Sequence, residues 1–197
     1  MARIEPLERH ELDDLEQLLS SVEAAMGFVP KSMMTMARVP AILKAFAPLA
    51  PSIMGPGEVE IGLKSLIAQI SSTAAGCRYC QAHAAEGAVH KGIDAKKVEN
   101  VWSFETSDLF SPAEVAALRL ARDASVTPNA STDEHFAALA EHYSDEQVVE
   151  IVGVISLFGF LNRWNDTMQT PLEDAPFAFA TNHLAGSGWE AGGHRNE

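Results

Sequence analysis

The stretch that most constrains the fold runs from Ser144 to Met168. Ser144 and Gln147 are spaced as a helix-start pair, in which each side chain bonds the other's backbone N–H. Val148, Val149, Ile151, Val152, Val154, Ile155, Leu157, Phe158 and Leu161 follow without a proline and cover nearly every side of a helix. A helix that is apolar all round belongs at the centre of a core or against another subunit. Its most apolar part, Ile151 to Leu161, is too short to cross a bilayer and ends at Asn162-Arg163.

The remaining chain is punctuated in the same way. Leu12, Leu15, Leu18, Leu19 and Val22 make a helical stripe from Leu7 to Met26 that stops at Gly27. Pro40 opens a segment through Ile42, Leu43, Phe46 and Leu49, which Pro48 and Pro51 are expected to weaken or kink. From about Glu58 to Ala74, Leu63, Leu66, Ile67 and Ile70 form one apolar face. Cys77 to Val89 continues as an Ala-rich segment, and Asp94 caps a short helix through Val98. Ser111-Pro112-Ala113-Glu114 is a capping box with proline at the first position, and Ser131 with Glu134 starts another helix. No alternating strand pattern with hairpin turns occurs. The reading is an all-α fold forming one domain over residues 1–197. The tail from about 171 is rich in Pro and Gly and is expected to be irregular. Its Phe177, Phe179 and Trp189 are expected to pack on the body or on a neighbouring subunit.

Charge narrows the function classes. Fourteen Lys and Arg against 27 Asp and Glu give a net charge of −13. That repels phosphate backbones and anionic lipid, and no basic run offsets it, so neither nucleic acid nor membrane is expected as a partner. Met1 to Glu23 lacks the apolar core of a signal peptide, which points to a cytoplasmic protein.

The chemistry concentrates in Gly76-Cys77-Arg78-Tyr79-Cys80-Gln81-Ala82-His83. Cys77 and Cys80 are the only cysteines, and chance would space two cysteines this way about one time in a hundred. With Cys77 in the first turn of a helix, Cys80 and His83 follow at steps of three on nearly one face. Free N–H groups at a helix start favour a thiolate, and a nearby His can accept a thiol proton. A thiolate, an adjacent resolving thiol and a proton shuttle are the parts for reducing a peroxide through a sulfenic acid and a disulfide. Two other readings stand beside this one. The cysteines could be small buried residues filling a helix contact. Cys77, Cys80 and His83 could also ligate zinc, although a structural site would want a second pair of similar spacing, which the chain lacks. His135 and His142 are expected to face solvent, and Asn162 and Asp166 read as capping or surface groups.

These residues resemble the carboxymuconolactone decarboxylase superfamily in its AhpD-like, peroxidase-related branch. The resemblance runs from about Gly27 to Leu172. It is strongest in Ile61 to His83, in Phe110 to Ala121 and in Ser144 to Asp166. It implies an all-helical AhpD-like fold, a redox core over about residues 58–104 and a homo-oligomer, a trimer or hexamer. It implies reduction of a small-molecule hydroperoxide, with Cys80 peroxidatic, Cys77 resolving and His83 carrying the proton, and no cofactor or metal. A dithiol protein, lipoyl or thioredoxin-like, would restore the pair. The helix-start argument favours Cys77 instead as the more acidic thiol. The family's His lies four residues after its second Cys, where this chain has Ala84, and His83 stands in for it. The family's relay Glu lies twelve residues before its first Cys, where this chain has Ser65. Glu86 is a replacement only if the fold brings it back. A decarboxylase-like enzyme of the same fold and an oxidation-sensing assembly protein are the alternatives.

Overall fold

The computed structural model describes residues 2–195. Its helices are α1 (Glu16–Met26), α2 (Lys31–Met36), α3 (Pro40–Met54), α4 (Ile61–Ala75), α5 (Arg78–His90), α6 (Ala95–Glu99), α7 (Pro112–Ala124), α8 (Asp133–Ala140), α9 (Asp145–Met168) and α10 (Asp174–His183). No strand occurs among the described residues, and the fold is all-α.

The capping boxes sit where their chemistry requires. Ser111 and Glu114 close one at α7, and Ser144 and Gln147 close another at α9. At α8 the cap is Thr132, one residue later than expected, and His135 rather than Glu134 answers it from the third position. His135 is therefore not solvent-facing. One ring nitrogen meets Thr132, and the other lies 3.0 Å from Asp123. The segment before α1 is two 3-10 turns, Arg9–Glu11 and Asp13–Leu15, rather than the start of one long helix. Helix α3 runs unbroken through Pro48 and Pro51.

The centre of the core is α4, not α9. Every residue from Gly62 to Ser72 is buried, because α5, α7 and α9 all pack against this helix. Some of its polar side chains find carbonyl partners: Ser72 donates to the Ala68 carbonyl at 2.7 Å, and Gln69 donates to the Val98 carbonyl at 2.9 Å. Helix α9 turns Ile151, Val154, Ile155, Leu157 and Phe158 inward and leaves Val149, Val152 and Phe160 exposed.

The tail departs from its expected irregularity. It forms α10, flanked by the 3-10 turns Ala185–Ser187 and Gly192–His194. Trp189 is buried and donates its indole N–H to the Arg78 carbonyl at 3.1 Å, so it packs on the body of its own chain. Residues 196–197 of the expected tail lie outside the described residues. The tail ends by returning to its own beginning, with the Leu172 N–H donating to the His194 carbonyl at 2.9 Å.

Candidate functional site

The sequence brings two helices together through a single residue. Gly76 ends α4 at φ +82°, a left-handed conformation that L side chains rarely adopt, and Cys77 follows at once as the cap of α5. This sharp turn puts Cys77 just outside the helix and Cys80 in its first turn. The Cys80 N–H donates to Cys77 Sγ at 3.5 Å. Both thiols are buried and unbridged. Hydrogen bonding with Cys80, then burial, then the charges of Cys80 and Asp166 push the Cys77 thiol far above its ordinary value. The single backbone N–H it accepts pulls the other way and loses. At this position, burial and the neighbouring Cys80 and Asp166 therefore oppose the acidity that the helix start would give Cys77.

Cys80 faces α9, where Asn165 donates to its sulfur at 3.4 Å. The Asn165 amide oxygen has no partner among protein groups, and neither does either amide atom of Asn162, one turn earlier on the same helix. Both residues are buried.

His83 lies one turn beyond Cys80 on α5 and meets a carboxylate that the sequence reading did not nominate. Glu173, the cap residue of α10, lies 2.6 Å from His83 Nε2, accepts the Tyr79 hydroxyl at 2.9 Å and accepts the Lys31 N–H at 2.6 Å. Burial alone would raise this carboxyl. The charge of His83 and the hydrogen bonds from His83, Lys31 and Tyr79 outweigh it and hold Glu173 below the usual carboxylate range. Burial first, and the charge of Glu173 second, keep Tyr79 a neutral phenol. The Tyr79 ring stacks on His83 at 4.3 Å between centroids, and Phe28 meets the same imidazole edge-on at 5.5 Å. The imidazole is thus clamped by two rings and a carboxylate.

The two carboxyl positions raised from sequence behave differently. Ser65 accepts a hydrogen bond from Lys91 Nζ at 3.0 Å. Glu86 is buried, and burial raises its carboxyl, but Glu173 is the group that meets His83. Asp166 is not a bare surface group, since its carboxylate, that of a half-buried residue, lies 3.1 Å from His194 Nε2. A surface cleft of about 450 Å³, walled by Phe104, Phe110, Arg119 and His142, lies elsewhere and contains none of these groups.

One signal could have found Glu173 from sequence. Leu172-Glu173-Asp174 has the form of a helix start, an acidic residue before a new helix, but the adjoining prolines masked it. Nothing local marked Asn165 as a partner of Cys80, because the two lie 85 positions apart in the chain, on α9 and α5, and only packing joins them.

Comparisons with known proteins bear on this geometry. The sequence pattern of the Carboxymuconolactone decarboxylase family matches residues 40–123. The debrominase Bmp8, in a cysteine-to-alanine variant in complex with 2,3,4-tribromopyrrole, superposes with a TM-score of 0.86 at 37% identity, covering 92% of this chain and 97% of that one. An alkylhydroperoxidase AhpD core, a peroxidase-related protein from Ralstonia eutropha JMP134, superposes with a TM-score of 0.79 at 24% identity, covering 90% and 95%. The YdfG protein of Bacillus subtilis is 30% identical over 91 residues, a stretch that spans 46% of this chain and 60% of that relative's length.

Proposed function

Since the chain belongs to the carboxymuconolactone decarboxylase/AhpD-like superfamily, we propose that it is a dithiol-dependent reductase that passes two electrons from Cys77 and Cys80 to a small hydroperoxide. The observation that carries this reading is the asymmetry of the pair. Cys80 sits in the first turn of α5 beside the Asn165 amide and one turn from the His83–Glu173 couple, whereas Cys77 lies outside the helix as its cap. The attacking sulfur is therefore Cys80. Its thiolate takes the distal oxygen of the hydroperoxide, the O–O bond breaks, and the alkoxide leaves with a proton from His83, recharged against Glu173. Cys77 then attacks the resulting sulfenic acid. Its proton and the hydroxyl leave as water, and a disulfide remains. A lipoyl or thioredoxin-like dithiol would return the pair to the reduced state by exchange.

A second substrate class has its own support. The structures matched at 37–38% identity over nine-tenths of the chain are of a debrominase. The electron count is the same for a carbon–bromine bond: sulfur takes the bromine, carbon takes a proton, and Cys77 displaces bromide to form the same disulfide. The spare Asn165 oxygen beside Cys80 fits a pyrrole N–H or a hydroperoxide O–H equally well. For assembly we propose the homo-oligomer typical of the family, with the exposed apolar residues Val149, Val152 and Phe160 of α9 at a subunit contact. Light scattering on the purified chain measures it.

The decisive experiment is intact-protein mass spectrometry of the reduced chain before and after one equivalent of an organic hydroperoxide or a brominated pyrrole. A loss of two hydrogens within minutes, absent in Cys80→Ser, is the expected result. The oxidant that produces it, with alcohol or bromide released, names the substrate class. No loss with either oxidant overturns the reading.

A further inference from the structure

Beside the His83–Glu173 couple the tail delivers a second histidine, and it serves a different sulfur. His194 is buried, and its Nδ1 lies 2.8 Å from the Thr170 carbonyl. A carbonyl can only accept, so Nδ1 carries the hydrogen, and in the neutral ring the Nε2 lone pair points away from it. Nε2 faces the Asp166 carboxylate at 3.1 Å, so in the singly protonated ring its lone pair and the carboxylate converge on the same space. Cys77 completes the group, with one donor atom from each of Cys77, Asp166 and His194 within 4.8 Å of the other two.

We propose that Cys77, Asp166 and His194 form a site for a single divalent ion of the zinc class in the reduced protein. Thiolate, imidazole and carboxylate are the donors that zinc takes. Donors around a tetrahedral zinc stand about 3.3–3.6 Å apart, so the three groups need to close by at most about 1.5 Å. The His194 posture, one ring N–H tied to a backbone carbonyl and the other nitrogen free to ligate, is the second-shell arrangement of metal-bound histidines. A divalent cation also relieves the repulsion between the Asp166 carboxylate and a Cys77 thiolate. Binding replaces the Cys77 thiol proton, which is released to solvent, and no electrons move. The fourth position is left open to water on the half-exposed Asp166 side. The site is not the Cys77–Cys80–His83 set that the sequence suggests, since His83 is committed to Glu173.

The inference does not depend on the substrate of the thiol pair. It requires only that Cys77 be reduced, and it implies that metal binding and the Cys77–Cys80 disulfide exclude one another. The test is anaerobic titration of the reduced full chain with Co²⁺, whose sulfur-to-metal charge-transfer band reports the number of thiolates bound, followed by displacement with Zn²⁺. One ion per chain with a single-thiolate band is expected. Cys80→Ser should bind within about threefold of wild type. Cys77→Ser and Asp166→Asn should weaken binding at least tenfold, and the disulfide form should not bind. His194→Gln should do the same. Asp166→Asn, at a half-exposed position, keeps the test independent of any disturbance of the tail, which circular dichroism would register. Failure of wild type to bind overturns the proposal. So does binding that survives both Asp166→Asn and His194→Gln but is lost in Cys80→Ser, which would place the ion on the two thiols alone.

Discussion

Two buried charged clusters flank α4 and α5, and they are finished to different degrees. At the start of α4, Lys64 is 1% exposed and its ammonium donates to the carbonyls of Ile53 and Gly55 at 3.0 and 2.9 Å and to Glu150 at 2.8 Å. Its three donors meet three acceptors. Glu150 is equally occupied, taking the N–H groups of Glu58 and Val59 with its two oxygens. At the thiol site the carboxylate is saturated too, but the groups around it are not. The Asn165 oxygen, both amide atoms of Asn162 and the two thiols keep unused capacity. A buried polar cluster with every valence filled has nothing left to offer a ligand, whereas one with valences left open keeps groups able to bind one.

That contrast can be broken in order of expected effect. Lys64→Met should cost about 2 kcal/mol, because it leaves the Ile53 and Gly55 carbonyls and the half-buried Glu150 carboxylate without their donor. Denaturant unfolding measures that cost. The rate of disulfide formation, measured well below the melting temperature, should stay within about twofold of wild type, and a collapse of that rate would erase the distinction between the clusters. Glu173→Gln should do the reverse. Oxidation of the pair by its substrate should slow by about 10²-fold as His83 loses its carboxylate, with a smaller loss of stability. Stopped-flow measurement of the first turnover decides it. Gly76→Ala forces a side chain into the left-handed region between the two helices and should destabilise by about 1–2 kcal/mol. The smallest effect is on pH. The Glu173 carboxyl is held below its unfolded value, so its contribution is complete above the ordinary carboxylate range and fades as pH falls through the lower folded value. Protease sensitivity of residues 170–195 should rise there, and Glu173→Gln should flatten the profile.

The helices were legible because their ends are chemical. Ser111, Ser144 and Asp94 cap where their side chains can reach backbone N–H groups, and Gly27 and Gly76 end helices at positive φ. The local half of the site was legible as well, since Cys77, Cys80 and His83 lie within one turn and a half of α5. Its remote half was not. Asn165 reaches Cys80, Glu173 reaches His83 and His194 comes near Cys77 only because α9 and the tail pack on α5, and no spacing along the chain encodes that. The apolar run of α9 fits a core centre or a subunit contact alike, and within the chain the more deeply enclosed helix is α4. Burial is set by how many neighbours surround a helix, and α4 has α5, α7 and α9 around it despite its Lys64, Ser65 and Gln69.

The docking of the tail has a consequence for how such proteins diverge. Residues 40–123, the part that carries the family's pattern, contain both thiols and His83, whereas Asn165, Asp166, Glu173 and His194 all lie beyond it. The two cysteines and His83 thus lie in one stretch of the chain, and the side chains packed against them lie in another. Substitutions after residue 160 can change what surrounds the cysteines while the helix that presents them stays the same.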